Sequence, residues 1–88
     1  MRDIIPSRRF ERDLKRMLRR GKEQAKLVAL VATLQEGEPL DPRNRPRALL
    51  GARQPYWECH IEPDWLLIYE VTDDAVYLIR TGTHADLF

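Results

Sequence analysis

The stretch Trp65-Leu66-Leu67-Ile68-Tyr69-Glu70-Val71 limits the possible folds of this chain more than any other, because only Glu70 interrupts its apolar and aromatic run. Two clusters of turn formers bracket it, Glu62-Pro63-Asp64 and Thr72-Asp73-Asp74. An apolar run of that length between turns reads as a strand buried on both faces, and so as a central strand. The segment before it, Tyr56 to Ile61, alternates. Trp57, Cys59 and Ile61 fall on one face, and Tyr56, Glu58 and His60 on the other. The segment after it, Ala75 to Arg80, is rich in β-branched and aromatic residues. Turns this short join antiparallel neighbours.

Cover for such a sheet has to come from the N-terminal half, where the hydrophobic period changes from two to about 3.6. Arg2 to Ile5 reads as a short strand stopped by Pro6. Ser7 is placed to cap a helix running to about Arg20, with Phe10, Leu14, Met17 and Leu18 on one face and Gly21 as its stop. A second helix is expected from about Glu23 to Gln35, with the stripe Leu27, Leu30, Val31 and Leu34. Glu36 to Arg47, holding Gly37, Pro39, Pro42 and Pro46, reads as surface loop. The order β-α-α-β-β-β is most simply an α+β domain spanning residues 1–88, a twisted and mainly antiparallel sheet with a helical hairpin on one face. The other face and the rim are left for function.

Charge divides sharply along the chain. Residues 1–53 carry 14 Lys/Arg and 7 Asp/Glu, a balance of +7, whereas residues 54–88 carry only Arg80 against 7 acids, a balance of −6. The basic half is a candidate surface for phosphates or an acidic partner, and a solvated basic helix face is the other reading of the same numbers. With 43% apolar and 33% charged residues, an ordered globular protein is expected rather than a disordered one. The longest apolar stretch, Ala25 to Leu34, is interrupted by Lys26 and Thr33, so no membrane span is expected. Nor is a secretory leader expected from the residues after Arg2 and Asp3. The single cysteine, Cys59, excludes an internal disulfide, fits a cytoplasmic location and falls on the apolar strand face, as a core residue would.

His60 and His84 are the only side chains that ordinarily titrate near neutral pH. His60 shares a strand face with Glu58, and Asp64 follows in the next turn. His84 comes just after Arg80-Thr81-Gly82-Thr83, where the last strand ends. Two imidazoles, carboxylates and an arginine are the parts that phosphoryl transfer needs, namely a base, an acid and a cation for the developing charge. A structural histidine on a half-buried strand is an equally ordinary reading of His60. A metal held by His60, His84 and Asp64 competes as well, although their spacing matches no common zinc motif.

Two blocks narrow these readings. Cys59-His60-Ile61-Glu62-Pro63-Asp64-Trp65-Leu66-Leu67-Ile68-Tyr69 and Arg80-Thr81-Gly82-Thr83-His84-Ala85-Asp86-Leu87-Phe88 closely resemble the paired signature of YafQ-type toxins of the RelE superfamily. The resemblance implies the toxin of a type II toxin–antitoxin system, a ribosome-dependent endoribonuclease that cleaves messenger RNA without a metal or other cofactor. It further implies a RelE-like fold, a DinJ- or RelB-like antitoxin as partner, and operator DNA reached only through the antitoxin complex. Position by position, it marks His84 as the main catalytic histidine, with His60 and Asp64 beside it. Glu58 stands in the place of an acid, and Phe88 in that of a terminal aromatic that stacks on a base. Arg43, Arg45 and Arg80 join these as candidate RNA contacts. One departure stands out. The family often has a histidine four residues before the glycine of Leu-x-Gly, and counting back from Gly51 that position is Arg47. Arginine stays protonated and cannot act as a base, but it can bind phosphate. A catalytically impaired binding module is therefore the alternative to an active nuclease. Pro55, where a glycine is common, is a smaller departure.

Overall fold

The computed structural model, which describes residues 1–88, runs β1 (Asp3–Pro6), α1 (Arg8–Arg19), α2 (Gln24–Glu36), β2 (Arg47–Ala48), β3 (Trp57–Glu62), β4 (Trp65–Val71), β5 (Ala75–Gly82) and α3 (His84–Leu87). Single 3₁₀ turns at Pro42–Asn44 and Gly51–Arg53 flank β2. The strands form one sheet in the order β1-β5-β4-β3-β2, so the apolar run is the middle strand, as its pattern requires. β1 pairs with β5 in parallel, and all other pairs are antiparallel.

The α+β architecture matches the expectation, with additions at its edges. β2 has two residues, too few to show a period, and pairs Arg47 with Glu58 and Ala48 with Trp57. β5 runs two residues past Arg80, and the tail after it closes into one helical turn, α3. The helical hairpin covers one face of the sheet. Phe10, Met17, Leu27, Leu30, Val31 and Leu34 pack on Cys59, Trp65, Leu67, Tyr69, Val76 and Leu78. Leu66 and Ile68 alternate onto the opposite face and are buried as well. Cys59 lies wholly inside, and burial pushes its thiol up to about 12, so it is an inert core residue.

α1 does more than cover the sheet. β1 reaches only from Ala75 to Leu78 along β5. Beyond that point α1 takes over the strand's open edge. Ser7 caps the helix by accepting from Phe10 N–H at 3.0 Å, while its hydroxyl donates to Ile79 O at 2.9 Å. One and a half turns later Asp13, buried within the helix's apolar face, accepts from Thr81 N–H at 3.2 Å and from Arg80 Nε at 2.6 Å and Nη2 at 3.2 Å. The register of β4 and β5 shifts at this level, with Tyr69 opposite Leu78 but Ile68 opposite Arg80, leaving Ile79 as the extra residue. The bulge turns Thr81 onto the core face with Leu67 and Arg80 onto the other. A stripe read from apolar residues alone passes over Asp13.

Asp13 is almost fully buried and satisfied only by its donors. Asp13→Ala is expected to cost about 3 kcal/mol, because it strands a partly buried guanidinium. Denaturant midpoints measure this, and Asp13→Ala/Arg80→Met should recover at least half of the loss. A double variant no more stable than the single one would show that the ion pair is not the cause.

Candidate active site

Two strand ends meet at one rim of the sheet. The β3–β4 hairpin turns on Pro63 and Asp64, and the row His60, Leu66, Gly82 crosses β3, β4 and β5 just beneath it. The chain therefore leaves β5 beside the Pro63-Asp64 turn. What happens next is set by Thr83 and Asp86, a capping box in which Asp86 N–H donates to Thr83 Oγ1 at 3.2 Å and Thr83 N–H donates to Asp86 Oδ2 at 2.9 Å. Gly82 makes the turn possible, since a Cβ there would lie 2.9 Å from Asp86 Cβ. Arg20 Nη1 donates to Asp86 Oδ2 at 2.7 Å, and Arg16 stands 3.7 Å away. The Arg20 guanidinium and the Thr83 amide hold the Asp86 carboxyl well below the usual carboxylate range.

This anchoring puts His84 at the first position of α3, directly over the hairpin turn. Its backbone N–H donates to Asp64 Oδ1 at 2.9 Å, and its ring Nδ1 donates to the same oxygen at 2.7 Å. These two donors, the backbone one foremost, lower the Asp64 carboxyl's affinity for a proton. His60 is tied in the same sense, with Nδ1 donating to Pro63 O at 3.1 Å. A carbonyl only accepts, so the proton on His60 sits on Nδ1. The ring centroids are 5.6 Å apart and tilted by 50°. Each imidazole thus has one nitrogen held by the protein, with Nε2 free of any hydrogen bond. His84 is exposed, whereas the side chain of His60 is only 12% exposed.

Behind His60 lies Glu58, 2% exposed at its side chain, with Oε1 3.7 Å from His60 Nε2 and accepting from Arg47 Nε at 3.2 Å. Its Oε2 is the one buried side-chain polar atom without a partner. Of the residues marked from sequence, Arg47, Glu58, His60, Asp64 and His84 form one continuous chain of contacts. Glu58 stands beneath this group, too buried to meet RNA as a surface contact. Arg80 is diverted, its guanidinium gripping Asp13. Phe88 is half exposed, with the Arg53 guanidinium 4.1 Å from its ring centroid. Arg43 pairs with Asp41 at 3.2 Å, and Arg45 has no ion partner. Sequence reasoning passed over Asp86 and Arg53. The first was legible as Thr83-x-x-Asp86, a helix-start pattern, but the second has no local signal. No three His, Cys, Asp or Glu side chains stand close enough together to hold a metal ion.

Part of the charge asymmetry closes within the molecule. Lys22 and Lys26 each meet Glu62 at 2.7 Å, while Arg16 and Arg20 meet Asp86. Arg8, Arg9, Arg12, Lys15 and Arg19 remain exposed on α1 without ion partners. No helix is long and apolar enough to cross a membrane.

Residues 2–88 match the profile of a family described as the bacterial toxin of type II toxin–antitoxin system, YafQ. The chain is 40% identical over 88 residues to the mRNA interferase toxin YafQ of Escherichia coli K12, covering 99% of this chain and 96% of the relative. Its backbone superposes on YafQ in the E. coli DinJ-YafQ toxin–antitoxin complex with a TM-score of 0.91, at 40% identity over 99% of this chain and 97% of that one. A copper-bound mutant toxin from Helicobacter pylori gives a TM-score of 0.95 at 39% identity, with both chains fully covered. The side chains at the present site lack the three-donor cluster that would hold such an ion.

The lowered Asp86 carboxyl gives tail docking a defined pH dependence. A folded-state value below the free one means full stabilisation above about pH 4, where free aspartate titrates near 3.9. That stabilisation fades only as pH falls further, through the lowered value. The Leu87 amide resonance, followed by NMR from pH 7 downward, should therefore keep its docked position to about pH 4. Release of the tail above pH 5 would show that Asp86 is not its anchor.

Proposed function

The chain belongs to the YafQ family of bacterial type II toxin–antitoxin toxins, and from that premise we propose that it is a cytoplasmic endoribonuclease that cuts messenger RNA on the ribosome. All 88 residues act as one domain in this reading. A DinJ-like antitoxin restrains it, and it meets operator DNA only as part of that complex. The observation that carries the reading is the pair of imidazoles 5.6 Å apart, each with Nδ1 engaged, His84 with Nε2 unpartnered and His60 with Nε2 3.7 Å from Glu58 Oε1.

The reaction is transesterification within the RNA. The 2′-hydroxyl oxygen bonds to its adjacent phosphorus, and the bond from phosphorus to the 5′-oxygen of the next nucleotide breaks. The products are a 2′,3′-cyclic phosphate and a 5′-hydroxyl. His60 Nε2 accepts the proton of the attacking hydroxyl. His84 delivers a proton from Nε2 to the departing oxygen, and Asp64, bonded to His84 Nδ1–H, steadies the charged ring before that transfer. Arg47 stands where a base is common in the family. It cannot take a proton, and it offsets the charge gathering on the phosphate oxygens. Glu58 holds Arg47 in place through Nε. Phe88 offers one ring face to a base while Arg53 backs the ring.

The arginine at position 47 also favours a second reading, a binding module of weak activity that acts chiefly through its antitoxin complex. Induced expression in a bacterium, with primer-extension mapping of cleaved messages, separates the two. Wild type should arrest growth and leave discrete message ends. His84→Ala should lose at least a hundredfold in cleavage, the scale of a missing general acid, with its thermal unfolding unchanged. Asp64→Asn should lose roughly tenfold or more, because it loosens the same ring. Uncut messages with the wild type would favour the binding module, and full cleavage by His84→Ala would remove that histidine from the chemistry.

A further inference from the structure

A cleft of about 500 Å³ borders His60 and is lined by Arg43, Asn44, Arg45, Glu62 and Pro63 among others, with neither His84 nor Asp64 on its wall. It falls within the range of roughly 300–1,000 Å³ typical of sites that enclose a small ligand. Its outer wall is the 3₁₀ turn Pro42–Asn44 and the residue after it. This turn is fastened at both ends. Asp41 caps it by accepting from Arg43 N–H at 2.9 Å, and Asn44 Nδ2 donates to His60 O at 2.7 Å. The loop is thus tied to β3 at the very residue whose ring flanks the reacting position.

The charges on the wall are unequal. Arg43 is folded back on Asp41, through Nε at 3.3 Å and Nη2 at 3.2 Å. Glu62, the acid that would repel a phosphate, is neutralised by Lys22 and Lys26. Arg45 alone keeps an unpaired cation, and it does so at φ 47° and ψ 55°, the left-handed region that arginine rarely adopts. A strained conformation held by an anchored neighbour beside a reactive histidine is where function is commonly found. The cleft is therefore cationic overall, lined mainly by polar and charged residues, and contiguous with the imidazole pair only through His60.

We infer that this cleft is a subsite for the ribonucleotide next to the scissile phosphate, with Arg45 binding that nucleotide's phosphodiester and Asn44 as the positioning residue that holds Arg45 against His60. The inference rests on the nuclease reading and adds to it a second phosphate contact, one step along the strand. A ligand of this class is recognised by charge and backbone shape, so the subsite favours no base through Arg45 itself.

The test uses short RNA oligonucleotides carrying a 2′-O-methyl group at the scissile nucleotide, which blocks attack, so binding is read apart from cleavage. Fluorescence anisotropy compares wild type with Arg45→Gly, a change that removes the cation while easing the left-handed backbone. Arg45→Gly should bind about tenfold more weakly at low salt, and its log Kd against log salt should be shallower by roughly one ion. Removing one nucleotide from one end of the oligonucleotide should abolish the difference, and the end that does so identifies the side of the scissile bond. On ribosomes the loss should fall on KM, with kcat within about twofold of wild type. Asn44→Ala should show the same dependence on that nucleotide. Equal weakening for oligonucleotides with and without it would reduce Arg45 to general electrostatic attraction and overturn the subsite. Wild-type binding by Arg45→Gly would overturn it too, leaving the nuclease reading untouched. Failure of the wild type to cut any message would instead count against the nuclease reading, whatever the binding data say.

Discussion

A buried relay of two hydrogen bonds ties the sheet to its rim. The Trp65 indole N–H donates to Thr81 Oγ1 at 2.9 Å, and that hydroxyl donates to Leu66 O at 2.6 Å. Trp65 and Thr81 are both almost completely excluded from water, so neither bond has a solvent substitute. Together with the Asp13 carboxylate on Thr81 N–H, the relay locks the last turn of β5 against β4 after the bulge has shifted its register. Two residues of the candidate site lie within three positions of this lock. Asp64 directly precedes Trp65, and His84 comes three residues after Thr81. A slip by one residue would exchange the two faces of β5 and carry the tail away from the turn.

The tail itself is held by electrostatics rather than by burial. Asp86 gathers the Thr83 amide and the Arg20 guanidinium, and Glu62 gathers Lys22 and Lys26. Each such pair at a surface is worth little alone. Here both acids lie within two residues of the site, at Glu62 beside the hairpin turn and Asp86 in the helix that starts with His84, with Asp86 drawing on α1 and its C-cap and Glu62 on α2 and the turn before it. The helical hairpin thus serves the site as a clamp as well as covering the core. Of the bases without an ion partner, Arg2 is held by the carbonyls of Leu34 and Thr72, and those on the exposed face of α1, Arg45 and Arg53 are the cations left available to a polyanion.

Arginine at position 47 gives the site a permanent cation beside its two imidazoles. In the proposed reaction, arginine at position 47 keeps its charge at all working pH values, and proton transfer is left to His60 and His84. Glu58 makes this arrangement stable by pairing with Arg47 from below, where its own burial would otherwise be costly. Its unpartnered Oε2 marks the one place where the polar network beneath the site is incomplete. The two backed imidazoles differ as well, since His84 is oriented by a carboxylate and His60 by a carbonyl. Both bonds strengthen when the ring becomes charged, and the one to the carboxylate, now an ion pair, strengthens the more.

Periodicity alone determined the central strand, its antiparallel neighbours and the two helices, because burial on one or both faces writes itself into residue spacing. The paired blocks around Pro63-Asp64 and Thr83-His84 marked which side chains to watch. Three things were out of reach of any local pattern. Asp13 reads as a solvated helix residue until β5 brings Arg80 and Thr81 to it. Arg80 reads as a free cation until the same contact occupies it. Glu58 reads as a surface acid until β2, only two residues long, and the sheet's other face enclose it. In each case the deciding partner is more than ten residues away in the chain, and the free energy of a buried charge depends on which partner arrives, a quantity that exists only once the chain has folded.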